Sequence, residues 1–200
     1  MNIAIVIKNL AFYTFTILLL FVIGCSQDTN QDTNSKIFEN LPTIKKVPLF
    51  SGKLDNGKNF TEKDIQGSIT IVSFFFASCS DICPRMNSVL ADIVARHTSK
   101  KMTFVSITVD PENDTIQALE KYRKKNRYND SRWKFLRIEK DSLLTLTING
   151  FMVGSSDNPA NHSARFILLD DKSQIRGYYD PFDKEKLREL ENLLSEISKN

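Results

Sequence analysis

Apolar residues in this chain fall into two spacings that alternate along its length. Residues 69–76 read Ile-Thr-Ile-Val-Ser-Phe-Phe-Phe, an uncharged run of β-branched and aromatic side chains. Such a run predicts a strand covered on both faces. Beyond Pro84 the spacing changes: Met86, Val89, Leu90, Ile93 and Val94 recur at helical intervals, predicting a helix to Arg96. Residues 102–109 form a second buried strand. Ile116, Leu119 and Tyr122 mark another helix, capped by Asp114 or Thr115. A short strand at 133–136 and a short helix at 142–149 follow. Two strands, 166–169 and 175–179, flank the turn residues Asp170 to Ser173. The last helix, 183–197, sets Leu187, Leu190, Leu194 and Ile197 on one face. Upstream, Asp55-Asn56-Gly57 lies between Val47–Phe50 and Asn59–Phe60, which predicts a hairpin, and Thr61 is placed to cap a helical turn.

Strand and helix alternate through most of this order. The expected architecture is therefore α/β: a thioredoxin-like three-layer sandwich with a mostly parallel central sheet, an antiparallel edge and an N-terminal hairpin. No internal repeat interrupts it.

The first 40 residues follow a different pattern. Residues 10–23, LAFYTFTILLLFVI, carry no charge and follow Lys8. Fourteen residues are few for a bilayer span, which needs about 20, and suit the apolar core of a secretory signal. The segment ends Val22-Ile23-Gly24-Cys25, which resembles the bacterial lipobox. Residues 1–24 thus read as a lipoprotein-type signal peptide and Cys25 as the lipidated N-terminus. Residues 25–40, with the polar repeat SQDTNQDTNS, read as a flexible tether. The remaining domain, 41–200, is expected outside the cytoplasm, held to a membrane by lipid.

Composition narrows the function classes. At 41% hydrophobic and 26% charged residues, the chain is built to fold. A net charge of only +3 argues against nucleic acid as a partner. With Cys25 assigned to lipid, two of the three cysteines remain, Cys79 and Cys83. In an oxidising compartment such a pair is a disulfide, a metal site, or a switch between the two. A purely structural disulfide across so short a segment would stabilise little, because it removes little unfolded-chain entropy.

The pair lies between a strand and a helix, in Phe76-Ala-Ser-Cys79-Ser-Asp-Ile-Cys83-Pro84. If Pro84 takes the first helical position, Cys83 stands at the N-cap, where unpaired N–H groups favour a thiolate. Three residues separate the cysteines, one more than in thioredoxin-type redox enzymes, and Asp81 adds a negative charge that suits a cation. Two cysteines do not make a structural zinc site, which takes four ligands. They do suit copper, as Cu(I) or Cu(II), completed by an imidazole. Of the two histidines, His97 ends the helix about 20 Å from Cys83. His162, in the Gly-, Asn- and Ser-rich segment 154–163, is the candidate third ligand. Asp110 and Asp114 read as turn and cap residues, and Met86 as core.

Cys79-x-x-x-Cys83-Pro84 after an aromatic strand resembles the Sco/SenC copper-protein family. So do Val109-Asp110-Pro111-Glu112-Asn113-Asp114-Thr115, Trp133-Lys-Phe-Leu136, and His162-Ser163 before a late strand. The resemblance runs through essentially the whole domain. It implies one copper bound by Cys79, Cys83 and His162, and a role in assembling the binuclear copper centre of cytochrome c oxidase subunit II, or in serving another copper-accepting protein. Two positions depart from the family pattern: Ser80 stands where proline is frequent, and Asn161 where an acidic residue is frequent. An amide beside the histidine orients it less strongly than a carboxylate. A monomer is expected. Two other functions fit the same residues. In a thiol–disulfide oxidoreductase Cys79 would attack and Cys83 resolve, through a redox-active disulfide; in a redox or copper sensor the pair would report by docking a partner.

Overall fold

The computed structural model describes residues 37–154 and 163–199. The signal segment, Cys25, most of the tether and His162 lie outside the described residues. No helix among the described residues is long and apolar enough to cross a membrane.

Eight strands make one sheet: β1 (Lys45–Lys46), β2 (Ser51–Leu54), β3 (Asn59–Thr61), β4 (Ile69–Phe75), β5 (Met102–Thr108), β6 (Trp133–Arg137), β7 (Phe166–Leu169) and β8 (Gln174–Tyr179). Among the described residues, four α-helices accompany them: α1 (Ile82–Arg96), α2 (Ile116–Lys125), α3 (Lys140–Thr145) and α4 (Lys184–Ser198). Helix α3 continues as a π-type turn over Leu146–Gly150. A 3₁₀ turn, Glu62–Ile65, follows Thr61 as its N-cap.

All seven residues of β4 are buried, as an uninterrupted apolar run requires when both faces are covered. On one face, Ile69, Ile71, Phe75, Phe104, Phe135 and Phe166 pack against Met86, Leu90 and Ile93 of α1, Leu119 of α2, and Leu190, Leu194 and Ile197 of α4. On the other, Val72, Phe74, Val105, Ile107 and Ile167 meet Leu143, Leu146 and Phe151. These are the three layers of the expected sandwich. Two serines inside the sheet satisfy each other: Ser73 and Ser106 share a hydrogen bond of 2.8 Å, and the Trp133 indole N–H donates to Ser106 Oγ at 2.9 Å.

The strands lie in the order β1-β8-β7-β4-β5-β6-β2-β3. Among the described residues only β4–β5 and β5–β6 pair in parallel; the other pairings are antiparallel. The parallel part is thus narrower than the expected mostly parallel sheet. Helical crossovers join β4 to β5 and β5 to β6, whereas hairpins or longer returns join the rest. The N-terminal hairpin is present, but its first strand is Ser51–Leu54 rather than residues 47–50. Val47 and Phe50 are buried without joining that ladder. Gly57, at φ +79°, supplies the left-handed residue of the turn.

Strand direction fixes what gathers at each end of the sheet. The C-terminal ends of β4, β5 and β6 share one pole. Strand β7 runs antiparallel to β4, with Val72 opposite Ile167 and Thr70 opposite Leu169, so β7 begins at that same pole. Tyr179 pairs with Phe166, so β8 ends there too. The segments that follow β4, β5, β6 and β8 therefore start at one pole, together with residues 163–165, which lead into β7.

Candidate metal centre

The loop after β4 carries Cys79 and leads straight into α1. The Cys79 N–H donates to the Phe76 carbonyl at 3.2 Å, closing a tight turn. Helix α1 then starts two residues earlier than its proline suggests: Asp81 is the N-cap, Ile82 the first helical residue, Cys83 the second and Pro84 the third. The third position is still free of an intrahelical N–H bond, so proline is accommodated there as readily. Cys83 is accordingly inside the first turn, not at the N-cap.

That shift reverses the expected reactivity. The unpaired N–H groups of the helix start face Cys79, and the Cys83 N–H donates to Cys79 Sγ at 3.4 Å. For Cys79, burial works against ionisation. Hydrogen bonds from the Cys83 thiol and from the N–H groups of Cys83, Asp81 and Ile82 outweigh it and lower the pKa below its ordinary 9.0. Cys83 is 1% exposed. Burial pushes its thiol up to about 12, helped by its bond to Cys79 and the nearby charges of Cys79 and Asp114. The helix dipole therefore serves the outer cysteine, and the inner one is held as a thiol. Both cysteines are free.

Asp114 braces this loop. It is buried at the end of β5's connection to α2, and its Oδ2 accepts the Ala77 N–H at 2.9 Å and the Thr108 hydroxyl. Burial raises its pKa, against the lowering effect of those two hydrogen bonds. The cap of α2 is Thr115, whose Oγ1 accepts the Ala118 N–H, so Asp114 is not the cap but the tie between the cysteine loop and β5. Asp114→Ala strands both donors and should cost about 2–3 kcal/mol of stability. Urea unfolding measures that loss, and hydrogen exchange should speed up at the Ala77 amide; unchanged protection of Ala77 would contradict the brace.

Beneath Cys83, one helical turn on, Asn87 is fully buried and its Nδ2 donates to the Tyr122 hydroxyl at 2.9 Å. The Tyr122 phenol, pushed up to about 12 by burial, stays protonated in neutral solution. Sequence reading passed over Asn87; a polar residue within the apolar stripe of α1 was the available sign. Met86 is in the core, as expected.

His97 is the C-cap of α1, 4% exposed, with Nε2 3.0 Å from Glu191 and Nδ1 near Ser198. It joins α1 to α4 and takes no part in the cysteine site. Among the described residues, no cluster of three or more His, Cys, Asp or Glu side chains is arranged to hold a metal ion. The residues that flank 155–162 are nevertheless at the cysteine pole. Ser163 donates its N–H to the Val153 carbonyl at 3.0 Å, and Ala164 packs on the same core cluster as Ala77 and Cys79. His162, the residue before Ser163, falls outside the described residues.

The chain is similar to known proteins of one family. Residues 42–195 match the SCO1/SenC family. The SCO1 protein homolog of Bacillus subtilis is 27% identical over 133 residues, which cover 66% of this chain and 63% of that one. The mitochondrial SCO1 homolog 1 of Arabidopsis thaliana is 35% identical over 123 residues, covering 53% of this chain and 37% of that protein. The chain thus aligns with less than two thirds of the length of either relative. Among solved structures, BsSco, described as a member of the Sco family of cytochrome c oxidase assembly proteins with a disulfide switch, superposes with TM-score 0.68 at 21% identity, over 79% of this chain and 96% of that one. Arabidopsis thaliana ScoI with copper bound gives TM-score 0.61 at 26% identity, over 77% and 99%. With a free cysteine pair at the head of α1 on a sandwich of this topology, and a match running through nearly the whole domain, this chain belongs to the SCO1/SenC family.

Proposed function

We propose that this protein is a membrane-tethered, extracytoplasmic copper carrier that binds one copper through Cys79, Cys83 and His162 and hands it to a copper-accepting protein during cytochrome c oxidase assembly. The observation that carries the reading is the meeting, at one pole of the sheet, of two free cysteines and the residues directly after His162. The donor set fits the cargo. Thiolate and imidazole are soft and intermediate donors that suit either oxidation state of copper, and one sulfur is already disposed to ionise. Copper-bound relatives, such as the Arabidopsis protein, support the same cargo. Lipid on Cys25 would keep the domain at the membrane, with residues 26–40 as spacer.

Anaerobic copper titration of the reduced protein tests this. Wild type should bind one equivalent; Cys79→Ala and Cys83→Ala should lose tight binding, and His162→Ala should weaken it and change the spectrum. An unchanged spectrum and affinity in His162→Ala would remove that ligand.

The unequal acidity of the two thiols also favours a second reading, thiol–disulfide exchange. Cys79 thiolate would attack a target disulfide, forming a mixed disulfide and releasing one target thiolate. Cys83, on losing its proton, would attack Cys79 Sγ and release the second. The target gains two electrons and the pair becomes a disulfide. Insulin reduction that survives His162→Ala, together with absent copper binding, would favour this reading over the carrier.

A further inference from the structure

At the end of the sheet opposite the cysteines, five lysines come together from three stretches of chain: Lys45 and Lys46 of β1, Lys100 and Lys101 before β5, and Lys172 in the β7–β8 turn. Backbone contacts join these stretches into one surface. Val47, directly after Lys46, donates its N–H to the Ser173 carbonyl at 3.0 Å. Gly67 donates to the Asp171 carbonyl at 2.8 Å, and Ile69 to the Lys101 carbonyl at 2.8 Å. Ser68 Oγ donates to that same Lys101 carbonyl at 3.0 Å. Residues 67–69 therefore bridge the turn of Lys172 to Lys101, and Lys46, Lys100 and Lys172 are all exposed.

Acids at this end offset little of that charge. Asp170 pairs with Arg176, Asp130 with Arg132 and Glu191 with Arg96, so arginines meet them rather than the lysines. Asp171 and Glu196 add two negative charges, and Lys199, at the end of α4, a sixth positive one. The cysteine pole has the opposite balance. Asp81, Asp110, Glu112, Glu139, Asp180 and Asp183 stand in the segments after β4, β5, β6 and β8. Arg85, Arg137 and Lys140 pair with three of them, and Arg165 and Lys184 lie close by, which with Asp114 leaves the acids in excess. The seven residues of β4 hold the two poles about 23 Å apart. That exceeds two Debye lengths of ~8 Å at physiological salt, so a charged surface senses each pole separately.

We propose that the lysine pole rests on anionic lipid headgroups, which turns the cysteine pole away from the bilayer and leaves it open to a partner. The inference rests on the membrane-tether reading. Residues 26–36, fully extended, span at most about 40 Å, a reach that lets either pole touch the membrane. Charge then decides between them: the lysine pole is attracted to an anionic surface and the acidic pole repelled. Ammonium groups on flexible stems also suit mobile lipid phosphates, which offer no fixed geometry.

The test is lysine footprinting of the full protein reconstituted with vesicles of phosphatidylcholine alone or with roughly one-third phosphatidylglycerol. A water-soluble acetylating reagent and peptide mass spectrometry give the rate at each lysine, and sedimentation with the vesicles is read separately. At low salt, Lys46, Lys100 and Lys172 should react about fivefold or more slowly on the anionic vesicles than on the neutral ones, and high salt should abolish the difference. Lys184, at the cysteine pole, should react equally on both. In the double variant Lys100→Glu/Lys172→Glu, whose fold is checked by its unfolding curve, Lys46 should lose its protection. Unprotected lysines in a protein that sediments with both vesicles would overturn the inference and leave the tether standing, and protection of Lys184 equal to that of Lys46 would overturn it as well. Sedimentation with anionic vesicles alone, with Lys46, Lys100 and Lys172 protected, would uphold the lipid-binding pole and defeat the tether reading instead.

Discussion

Iodoacetamide should modify Cys79 at neutral pH about a hundredfold or more faster than Cys83. A thiol near 12 is ionised to about one part in 100,000 at pH 7, whereas one below 9.0 exceeds about one part in 100. Ionisation alone therefore favours Cys79 by about a thousandfold. The more basic Cys83 thiolate is intrinsically the better nucleophile, which returns about 20-fold for a three-unit difference. Burial of Cys83 then restricts its access and restores part of the gap. The pH profile carries the sign. Cys79 modification should level off at a lower pH than that of an ordinary thiol, while Cys83 modification keeps rising towards pH 12. Stability follows the same linkage: Cys83, with its folded pKa raised, supports the fold below pH 9 and withdraws that support as the pH climbs towards 12. Peptide mapping of alkylated protein gives both rates. Equal rates at pH 7 would mean that the helix N–H groups do not stabilise Cys79.

Replacing Phe135 with alanine should destabilise the protein by about 3–5 kcal/mol, the range for truncating a fully buried aromatic residue. Phe135 has no exposed surface. Its ring stands 5.2 Å from Trp133, 5.6 Å from Phe75, 5.9 Å from Tyr128 and 6.1 Å from Tyr122. Removing it opens a cavity and also ends ring contacts worth about 0.5–1.5 kcal/mol each beyond simple burial. For a domain of this size the melting temperature should fall by on the order of 10 °C. Leu49→Ala, at a residue 84% exposed, serves as the comparison and should change stability by less than about 0.5 kcal/mol. A loss below about 1 kcal/mol in Phe135→Ala would show that the aromatic cluster closes over the gap.

Much of the fold was readable before any coordinates, because burial writes itself into local spacing. Strand β7 falls on the expected residues, and α1, β5 and α4 differ from expectation by two residues or fewer. The start of α1 was misplaced for a specific reason. Any of the first turn's positions lacks an intrahelical N–H partner, so Pro84 is compatible with several and selects none. The parallel share of the sheet was overestimated because periodicity is the same whichever way a strand runs. The first hairpin strand was misassigned because Val47 and Phe50 are buried by packing, while the ladder belongs to the more polar Ser51–Leu54.

By itself the amino-acid order determined the layers, the cysteine pair and its place between β4 and α1, because these depend on neighbours a few residues apart. It also carried the family, through four short blocks in a fixed order. Only the tertiary structure decided which cysteine is the acidic one, since that turns on the direction of a handful of N–H groups and on the depth of Cys83 in the core. Asp114 likewise gained its function from 37 residues away, by meeting Ala77 across the ends of two strands. Contacts of that kind arise from how strands pair, and no local pattern records them.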